Sequence, residues 1–371
     1  MEKGRCANVG WSIGNYCNAR CNHCYSWATR IKSEDVLSKR EVDIIIDKLI
    51  DYKVETVNFG GNEPIFTNGK DVKSTMLPYI IRRLSAANIK CGITTNGFSA
   101  IFLYENNLEE FMLVNDWDFS LDAPCREEHD KNRNTKGLFE QVIKAIKICK
   151  ANDRQCSIVI AGMKSNLSKK ALDGFVELTK KYNTEMRINL LKPTRPEHFE
   201  MFPSAQQVYE AFDYLSKKMD VVSVSEPAII TQYGGSSNGC PCGSSSFRIR
   251  SKINGRVPVT PCVYLDLDAG DILTESIDDI VNSSVFTEFL SRKKEIPNKC
   301  KEMNCDLMND CRGGCSARTL LVTRNANDVD PYCPYKWNYN LKEKPAFAET
   351  DCEHVRVHEN YLCTWIGKPK I

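Results

Sequence analysis

Cys17-Asn-Ala-Arg-Cys21-Asn-His-Cys24, with Tyr25 next in line, places three thiols at C-x3-C-x2-C spacing within eight residues. Ahead of it, Ala7-Asn-Val-Gly-Trp-Ser-Ile-Gly14 reads as a short strand, and behind it a long helical pattern begins. A thiolate triad on one loop can grip three corners of a cubane [4Fe–4S] cluster, because such clusters are held by cysteine thiolates. The fourth iron then has no protein ligand from this segment and is open to something else. A structural zinc knuckle is the alternative. Zinc sites usually pair their ligands as C-x2-C or Cys/His, so a triad favours the cluster.

Working outward, the chain has 371 residues, enough for two domains of ordinary size. Net charge is +2 with both signs mixed, which points to neither nucleic acid nor a membrane surface. No apolar run approaches a membrane span, and the start Met1-Glu-Lys-Gly-Arg-Cys6 lacks a secretory signal. Eighteen cysteines in a large chain without a signal suggest metal, not disulfides, and a cytoplasmic, oxygen-poor setting.

From Ala7 to about Ser223, strand and helix patterns alternate. The strand-like runs are Val54–Phe59, Ile89–Thr94, Trp117–Leu121, Gln155–Ile160 and Glu185–Leu190; amphipathic runs such as Lys39–Tyr52 and Leu138–Ala151 lie between them. With the first strand this makes six βα units, which demand a parallel sheet covered by helices. The fold class expected is α/β: a partial (β/α)6 TIM-like barrel whose site lies at the C-terminal ends of the strands, where the triad falls. Between Glu226 and Asn238 the composition turns to Pro, Gly and Ser. The expected division is therefore 1–225 for the barrel and 226–371 for a small C-terminal cysteine-rich iron–sulfur domain with a tail. Metal there would supply folding energy that a thin core lacks.

The triad resembles the signature of radical SAM enzymes, in which the open iron chelates the amino and carboxylate groups of S-adenosylmethionine. The resemblance implies reductive cleavage of that cofactor to a 5′-deoxyadenosyl radical, which takes a hydrogen atom from substrate. His23 replaces the aromatic residue usual before the third cysteine and is a candidate to cover the cluster or touch adenine; Tyr25 is the nearest aromatic side chain. After strand two, Gly60-Gly61-Asn62-Glu63-Pro64 resembles the family's GGEP motif, which holds the methionine amino group. Glycines let backbone approach a ligand, and a carboxylate accepts from an ammonium. The inserted Asn62 leaves open whether Glu63 or a carbonyl of Gly60 or Gly61 makes the main contact.

Thr94-Thr95-Asn96-Gly97 and Ser120-Leu121-Asp122-Ala-Pro124 resemble the segments that line the cofactor's ribose and carboxylate. Ser120 and Asp122 stand two apart and so share a face. Glu128-His129-Asp130 and Arg133, ahead of Gly137, resemble the family's hD-x2-R-G loop with Asn134 in place of glycine; Arg133 can then pair with the cofactor's carboxylate. Asn166 and Asn189, with Arg187, are expected to complete the pocket. Taken singly, each run is equally explained by turn chemistry and helix capping. Asp122 and Cys125 are the candidates for a catalytic role, with packing the alternative for Cys125.

Further on, Cys240-Pro-Cys242, Cys262, Cys300, Cys305, Cys311-Arg-Gly-Gly-Cys315 and Cys333 resemble the SPASM domain, which carries two auxiliary [4Fe–4S] clusters. Carried over, Cys242, Cys262 and Cys315 hold the first, with Cys240 a doubtful fourth ligand. Cys300, Cys305, Cys311 and Cys333 hold the second. Cys300 departs from the usual C-x2-C spacing, and a zinc-stapled domain is the alternative. The cofactors implied are three [4Fe–4S] clusters, one binding S-adenosylmethionine and two auxiliary, and S-adenosylmethionine itself. Cys91, Cys149 and Cys156 read as small core residues. Cys6, Cys352 and Cys363 lie near the termini, and a metal-binding or barrel-closing role for two of them with His354 and His358 is not expected.

Relatives of this kind mostly modify peptides or proteins. The expected function is a ribosomal-peptide maturase forming an oxidative crosslink, with a peptide or protein substrate and an electron donor such as flavodoxin or ferredoxin. Alternatives are a sulfatase-maturase-like protein oxidase, a small-molecule sugar or alcohol dehydrogenase, and a non-catalytic electron-transfer protein. The last would not need Gly60–Pro64 or Ser120–Asp122. A separate leader-binding domain would need far more than the few residues ahead of Cys17, so if the substrate bears a leader, its recognition is expected at the barrel mouth, the tail or another protein.

Overall fold

The computed structural model describes residues 6–26, 35–227, 229–230, 240–294, 298–334, 347–348 and 355–370. Six strands run parallel and neighbour one another in chain order: β1 (Asn8–Trp11), β2 (Thr56–Phe59), β3 (Lys90–Thr95), β4 (Asp116–Ser120), β5 (Cys156–Gly162) and β6 (Glu185–Leu190). Helices α1 (Lys39–Asp51), α2 (Leu77–Ala86), α3 (Phe98–Asn106), α4 (Leu108–Leu113), α5 (Arg126–Asn132), α6 (Leu138–Ala151) and α7 (Lys169–Tyr182) connect them. In α1, Ser38 and Glu41 form a reciprocal cap, and Val42, Ile45, Ile46 and Leu49 recur at helical spacing and are fully buried. Each such side chain contributes roughly 1.5–3 kcal/mol by leaving water.

Strand β4 shows how the barrel sorts its two faces. Trp117 and Phe119 stack with a centroid separation of 6.2 Å and join the apolar core, while Asp116 and Asp118 pair with Arg187 of β6 at 3.0 and 3.1 Å. All three charged side chains are fully buried. Burial alone would strip the Arg187 charge, but the two carboxylates outweigh it and raise its pKa. This ionic floor lies beneath the strand ends that form the site.

Helices α8 (His198–Met201) and α9 (Ala205–Lys218) follow β6. Four strands outside the expected six then extend the sheet to ten: β7 (Met219–Val224), β8 (Ser246–Ile249), β9 (Val259–Thr260) and β10 (Trp365–Pro369). Strand β8, from the cysteine-rich half, runs parallel to β1; β10 lies antiparallel between β6 and β7. The chain beyond residue 226 is therefore hydrogen-bonded to both sides of the barrel. It also forms the short helices α10 (Ile277–Val281), α11 (Ser284–Lys294), α12 (Asn298–Glu302), α13 (Met308–Cys311) and α14 (Ser316–Thr323).

Among the described residues no cysteine is in a disulfide, and no helix is long and apolar enough to cross a membrane. Cys91, Cys149 and Cys156 pack in the main core. Cys352 and His354 lie outside the described residues.

Candidate active site

The three-cysteine loop leaves β1 and is pinned through its backbone. Arg20 N donates to Arg133 O at 3.2 Å, and Asn22 N to Asn132 O at 3.2 Å. Asn96, at the end of β3, donates from Nδ2 to Asn18 Oδ1 at 2.7 Å and lies 3.9 Å from Cys17 Sγ. Arg133 Nη1 stands 3.7 Å from Cys21 Sγ. Burial, seconded by Glu63 and the neighbouring thiols, pushes the Cys17 thiol up to about 12. A thiolate there needs cationic company, which iron supplies. Three thiols on a fixed loop, with amide and guanidinium donors aimed at two sulfurs, fit an iron–sulfur cluster.

These thiols form one wall of a cavity at the C-terminal ends of the strands. Tyr25, Gly61, Asn62, Glu63, Thr95, Asn96, Ser120, Arg133 and Asn189 also line it, as does His23. Gly60, Asp122, Asn166 and Cys125 do not. Gly61 has φ +92°, and a Cβ there would meet Ser12 Oγ at 2.2 Å, so only glycine fits. Asn62 Nδ2 donates to Gly14 O at 2.8 Å, tying the turn to the approach of the cysteine loop.

Glu63 is fully committed on one side. Its Oε1 accepts from Thr95 Oγ1, Ser99 Oγ and Ser99 N, while Oε2 accepts from Asn96 N at 2.9 Å. Only Oε2 retains a lone pair, and burial raises the carboxyl's pKa despite these bonds. Glu63 thus welds the glycine turn to the Thr95–Asn96 strand end, and the backbone of Gly61 is the freer partner for an ammonium.

Asp122 sits behind the cavity wall, wholly buried. Its Oδ2 accepts from Arg133 Nε at 2.7 Å and lies 3.3 Å from His23 Nε2; its Oδ1 accepts from Ala161 N at 3.2 Å. Burial pushes the carboxyl up, but Arg133 and His23 outweigh it and hold its pKa at about 2. Burial lowers His23 to about 4, so the ring is neutral and donates to Asp122. Among the described residues its buried Nδ1 has no hydrogen-bond partner. Asp122 orients Arg133 and His23 and does not itself reach a ligand. Asn166 is one step further back, donating from Nδ2 to Asp122 O at 3.1 Å and to Ala161 O at 2.9 Å. Asn134 takes a left-handed φ of +47°, which explains how asparagine stands where glycine is usual.

Eight cysteines of the C-terminal half gather in two places. Cys242, Cys262 and Cys315 form a buried group with Leu265, Phe289 and Ala317, and Cys240 packs against it. Cys300, Cys305, Cys311 and Cys333 together line a small separate cavity. Between the groups, Arg318 Nε donates to Asp330 Oδ1 at 2.7 Å, Arg318 Nη2 to Glu226 Oε1 at 2.8 Å, and Cys315 N to Asp330 Oδ2 at 2.6 Å. Among the described residues no three such side chains converge on a single metal ion. A cubane spreads its ligands over separate irons and does not require them to.

The radical SAM superfamily model matches residues 11–173, and that of the SPASM iron–sulfur cluster-binding domain matches 240–306. The chain is a radical SAM enzyme with a SPASM domain. The two domains imply [4Fe–4S] clusters and S-adenosylmethionine as cofactors. The chain is 23% identical to an AdoMet-dependent heme synthase of Oleidesulfovibrio alaskensis, over 92% of this chain and 89% of that one. It is 26% identical to the mycofactocin maturase MftC of Mycobacterium ulcerans, over 87% and 86%. Its fold matches the solved structure of anSMEcpe with bound AdoMet and a Kp18Cys peptide with a TM-score of 0.67 at 18% identity, covering 89% of this chain and 94% of that one.

In this radical SAM enzyme the cavity also has walls that local motifs do not announce. Lys192 and Tyr264 line it, with Lys192 Nζ 3.3 Å from Glu226 Oε2. Tyr264 stands two residues past Cys262, the one available sequence signal. His358, Tyr361 and Leu362 line it from the C-terminal segment. His358 Nδ1 is 2.8 Å from Asp118 Oδ2, its Nε2 is 3.0 Å from Asn189 Nδ2, and Asn58 Nδ2 donates to Tyr361 OH at 3.1 Å. The expectation that His358 takes no part in closing the barrel is corrected: buried Asp118 and Asn58 offer polar partners inside, and His358 and, beside it, Tyr361 fill them.

The bonding around Glu63 and Asp122 sets one expected outcome. Glu63→Ala and Asp122→Asn each weaken S-adenosylmethionine binding roughly ten- to a hundredfold, about 1–3 kcal/mol, by loosening Asn96 or Arg133. Iron per chain stays at the wild-type value, since neither residue holds a thiol's iron. Equilibrium binding with parallel iron analysis checks this; unchanged affinity in both returns the pair to ordinary turn chemistry.

Proposed function

We propose that this protein is a peptide maturase, which takes hydrogen from a ribosomally made peptide and leaves an oxidative crosslink. The observation that carries the reading is the position of the cavity. One wall is the Cys17, Cys21 and Cys24 loop; another is Tyr264, which packs against the first auxiliary thiol group. A substrate held there lies between the radical's source and an electron acceptor. The likeness to a mycofactocin maturase, and the fold shared with an enzyme solved with a peptide, support a peptide as that substrate.

In this reading residues 1–225 form the catalytic barrel and 226–371 the auxiliary cluster domain. Cys17, Cys21 and Cys24 hold the cluster that binds S-adenosylmethionine. Cys242, Cys262 and Cys315 belong to a second cluster, and Cys300, Cys305, Cys311 and Cys333 to a third. When bound, the first cluster and S-adenosylmethionine supply a hydrogen-abstracting radical, and the auxiliary clusters supply acceptors for single electrons. The residues of this chain hold the cofactor and shield the cavity: Asn96 and Arg133 steady the thiols, the Gly61 backbone meets the ammonium, and His23 and Tyr25 cover the loop. Neither Asp122 nor Cys125 faces the substrate space. A flavodoxin or ferredoxin supplies the reducing electron.

A second reading, oxidation of a small molecule, is favoured by the likeness to an AdoMet-dependent heme synthase. The test sets the two against each other. Anaerobically reconstituted, reduced protein is given S-adenosylmethionine and a short peptide encoded beside its gene, or a haem precursor. The maturase reading expects 5′-deoxyadenosine and a peptide lighter by two hydrogens. Turnover of the haem precursor with the peptide untouched overturns it.

A further inference from the structure

The first auxiliary thiol group has a fifth member that no motif spacing includes. Cys363 stands beside Cys240, with Cys315 and Glu226 near it; Cys242 in turn stands beside Cys240 and Cys262. The five thiols therefore form one connected group.

The backbone on either side of Cys363 is held in place. Tyr361 O accepts from Cys242 Sγ at 3.7 Å and from Ser246 Oγ at 3.4 Å. Past the cysteine, Thr364 N donates to Ser225 Oγ at 2.9 Å, and Ser225 N to Thr364 O at 2.8 Å. Trp365 then enters β10, fully buried between β6 and β7. Cys363 is thus delivered to the group by a strand anchored in the barrel sheet.

A cubane offers four irons to five thiols, so one thiol is surplus. Packing separates them. Cys242, Cys262 and Cys315 are members of one buried group, against which Cys240 packs. With Cys363 they come from four separate parts of the chain and can approach four corners from different directions. Cys240 and Cys242 share one two-residue step and compete for the same side.

We propose that Cys363 is the fourth ligand of the first auxiliary cluster, with Cys242, Cys262 and Cys315, and that Cys240 is not a ligand. This rests on the auxiliary cluster assigned above. It removes the open iron that a doubtful Cys240 would leave, so the cluster has no position for a substrate thiolate. It also joins the cluster to the segment that places His358 and Tyr361 in the radical cavity.

The test uses full-length, anaerobically reconstituted protein in a Cys17/Cys21/Cys24→Ala background, where the radical cluster contributes no signal. Iron per chain and the electron paramagnetic resonance spectrum after dithionite reduction are measured for Cys363→Ala, Cys363→Ser, Cys240→Ala and Cys262→Ala. Cys363→Ala is expected to lose about four irons or, where Cys240 takes the vacant corner, to show changed g-values. Cys363→Ser, which keeps the side chain's size, is expected to shift the spectrum with iron retained; it also decides the matter if the alanine variant does not fold. Cys240→Ala is expected to match its parent. Parent-like iron and spectra in the Cys363 variants, with iron lost in Cys262→Ala, overturn the role of Cys363 alone. Parent-like behaviour of Cys262→Ala as well overturns the auxiliary cluster itself. An altered spectrum in Cys240→Ala with none in the Cys363 variants exchanges the two cysteines and also overturns the proposal.

Discussion

Replacing Cys17, Cys21 and Cys24 together with alanine removes about four irons per chain and abolishes 5′-deoxyadenosine formation, while the barrel remains folded. The fold survives because the loop contributes little to the main core. Only Cys21 of the three is buried, in a small group with Ala19 and Leu138, apart from the large cluster of sheet and helix residues. The loop's anchors are backbone donors, Arg20 N and Asn22 N, which alanine leaves in place. Arg133 keeps its ion pair with Asp122 when the sulfur beside it is gone. Iron analysis, chromatographic assay of 5′-deoxyadenosine and a far-ultraviolet circular dichroism melt check the three parts. Cleavage of S-adenosylmethionine by the triple variant, or none by reduced wild type, would refute the assignment of the radical site.

Cys311→Ala cuts product formation by roughly tenfold or more, at least about 1.4 kcal/mol in barrier, while 5′-deoxyadenosine still forms. The reasoning is an electron count. Abstraction of one hydrogen leaves a substrate radical; making a new bond with loss of a proton leaves one electron to be removed. Cys311 is in the distal thiol group, away from the cavity that S-adenosylmethionine would occupy, so its loss spares cleavage and impairs the electron's exit. The intervening Arg318–Asp330–Glu226 network is fully buried and ion-paired, which keeps the two groups in fixed relation. Product and 5′-deoxyadenosine measured in the same reaction separate the two steps. Full product turnover with this cluster absent, or zinc found where iron is expected, would sink the electron-transfer role.

What was legible in the sequence was what neighbouring residues decide together. The cysteine triad spans eight residues, so its spacing alone restricts the chemistry. The strands β2 to β6 and their helices were visible because apolar periodicity is local, and parallel order follows from the alternation itself. The glycine turn at Gly60–Gly61 and the Thr95–Asn96 strand end were visible for the same reason. The direction of each side chain was not. Asp122 belongs to a recognisable run yet points away from the cavity, because Arg133, eleven residues on, draws its carboxylate into an ion pair. Glu63 was readable as a site residue, but its hydrogen bonds to Thr95, Asn96 and Ser99 exist only once β2 and β3 are side by side.

The C-terminal segment was decided wholly by tertiary structure. Trp365-Ile-Gly-Lys-Pro369 carries Gly and Pro and so does not read as a strand; it becomes one because β6 and β7 present open edges on either side. That docking carries His358 to Asp118, Tyr361 to Asn58 and Cys363 to Cys240, pairs far apart in sequence. Periodicity reports which residues face a core. Only the closed sheet, by satisfying buried polar groups across the barrel, decides which distant residues meet.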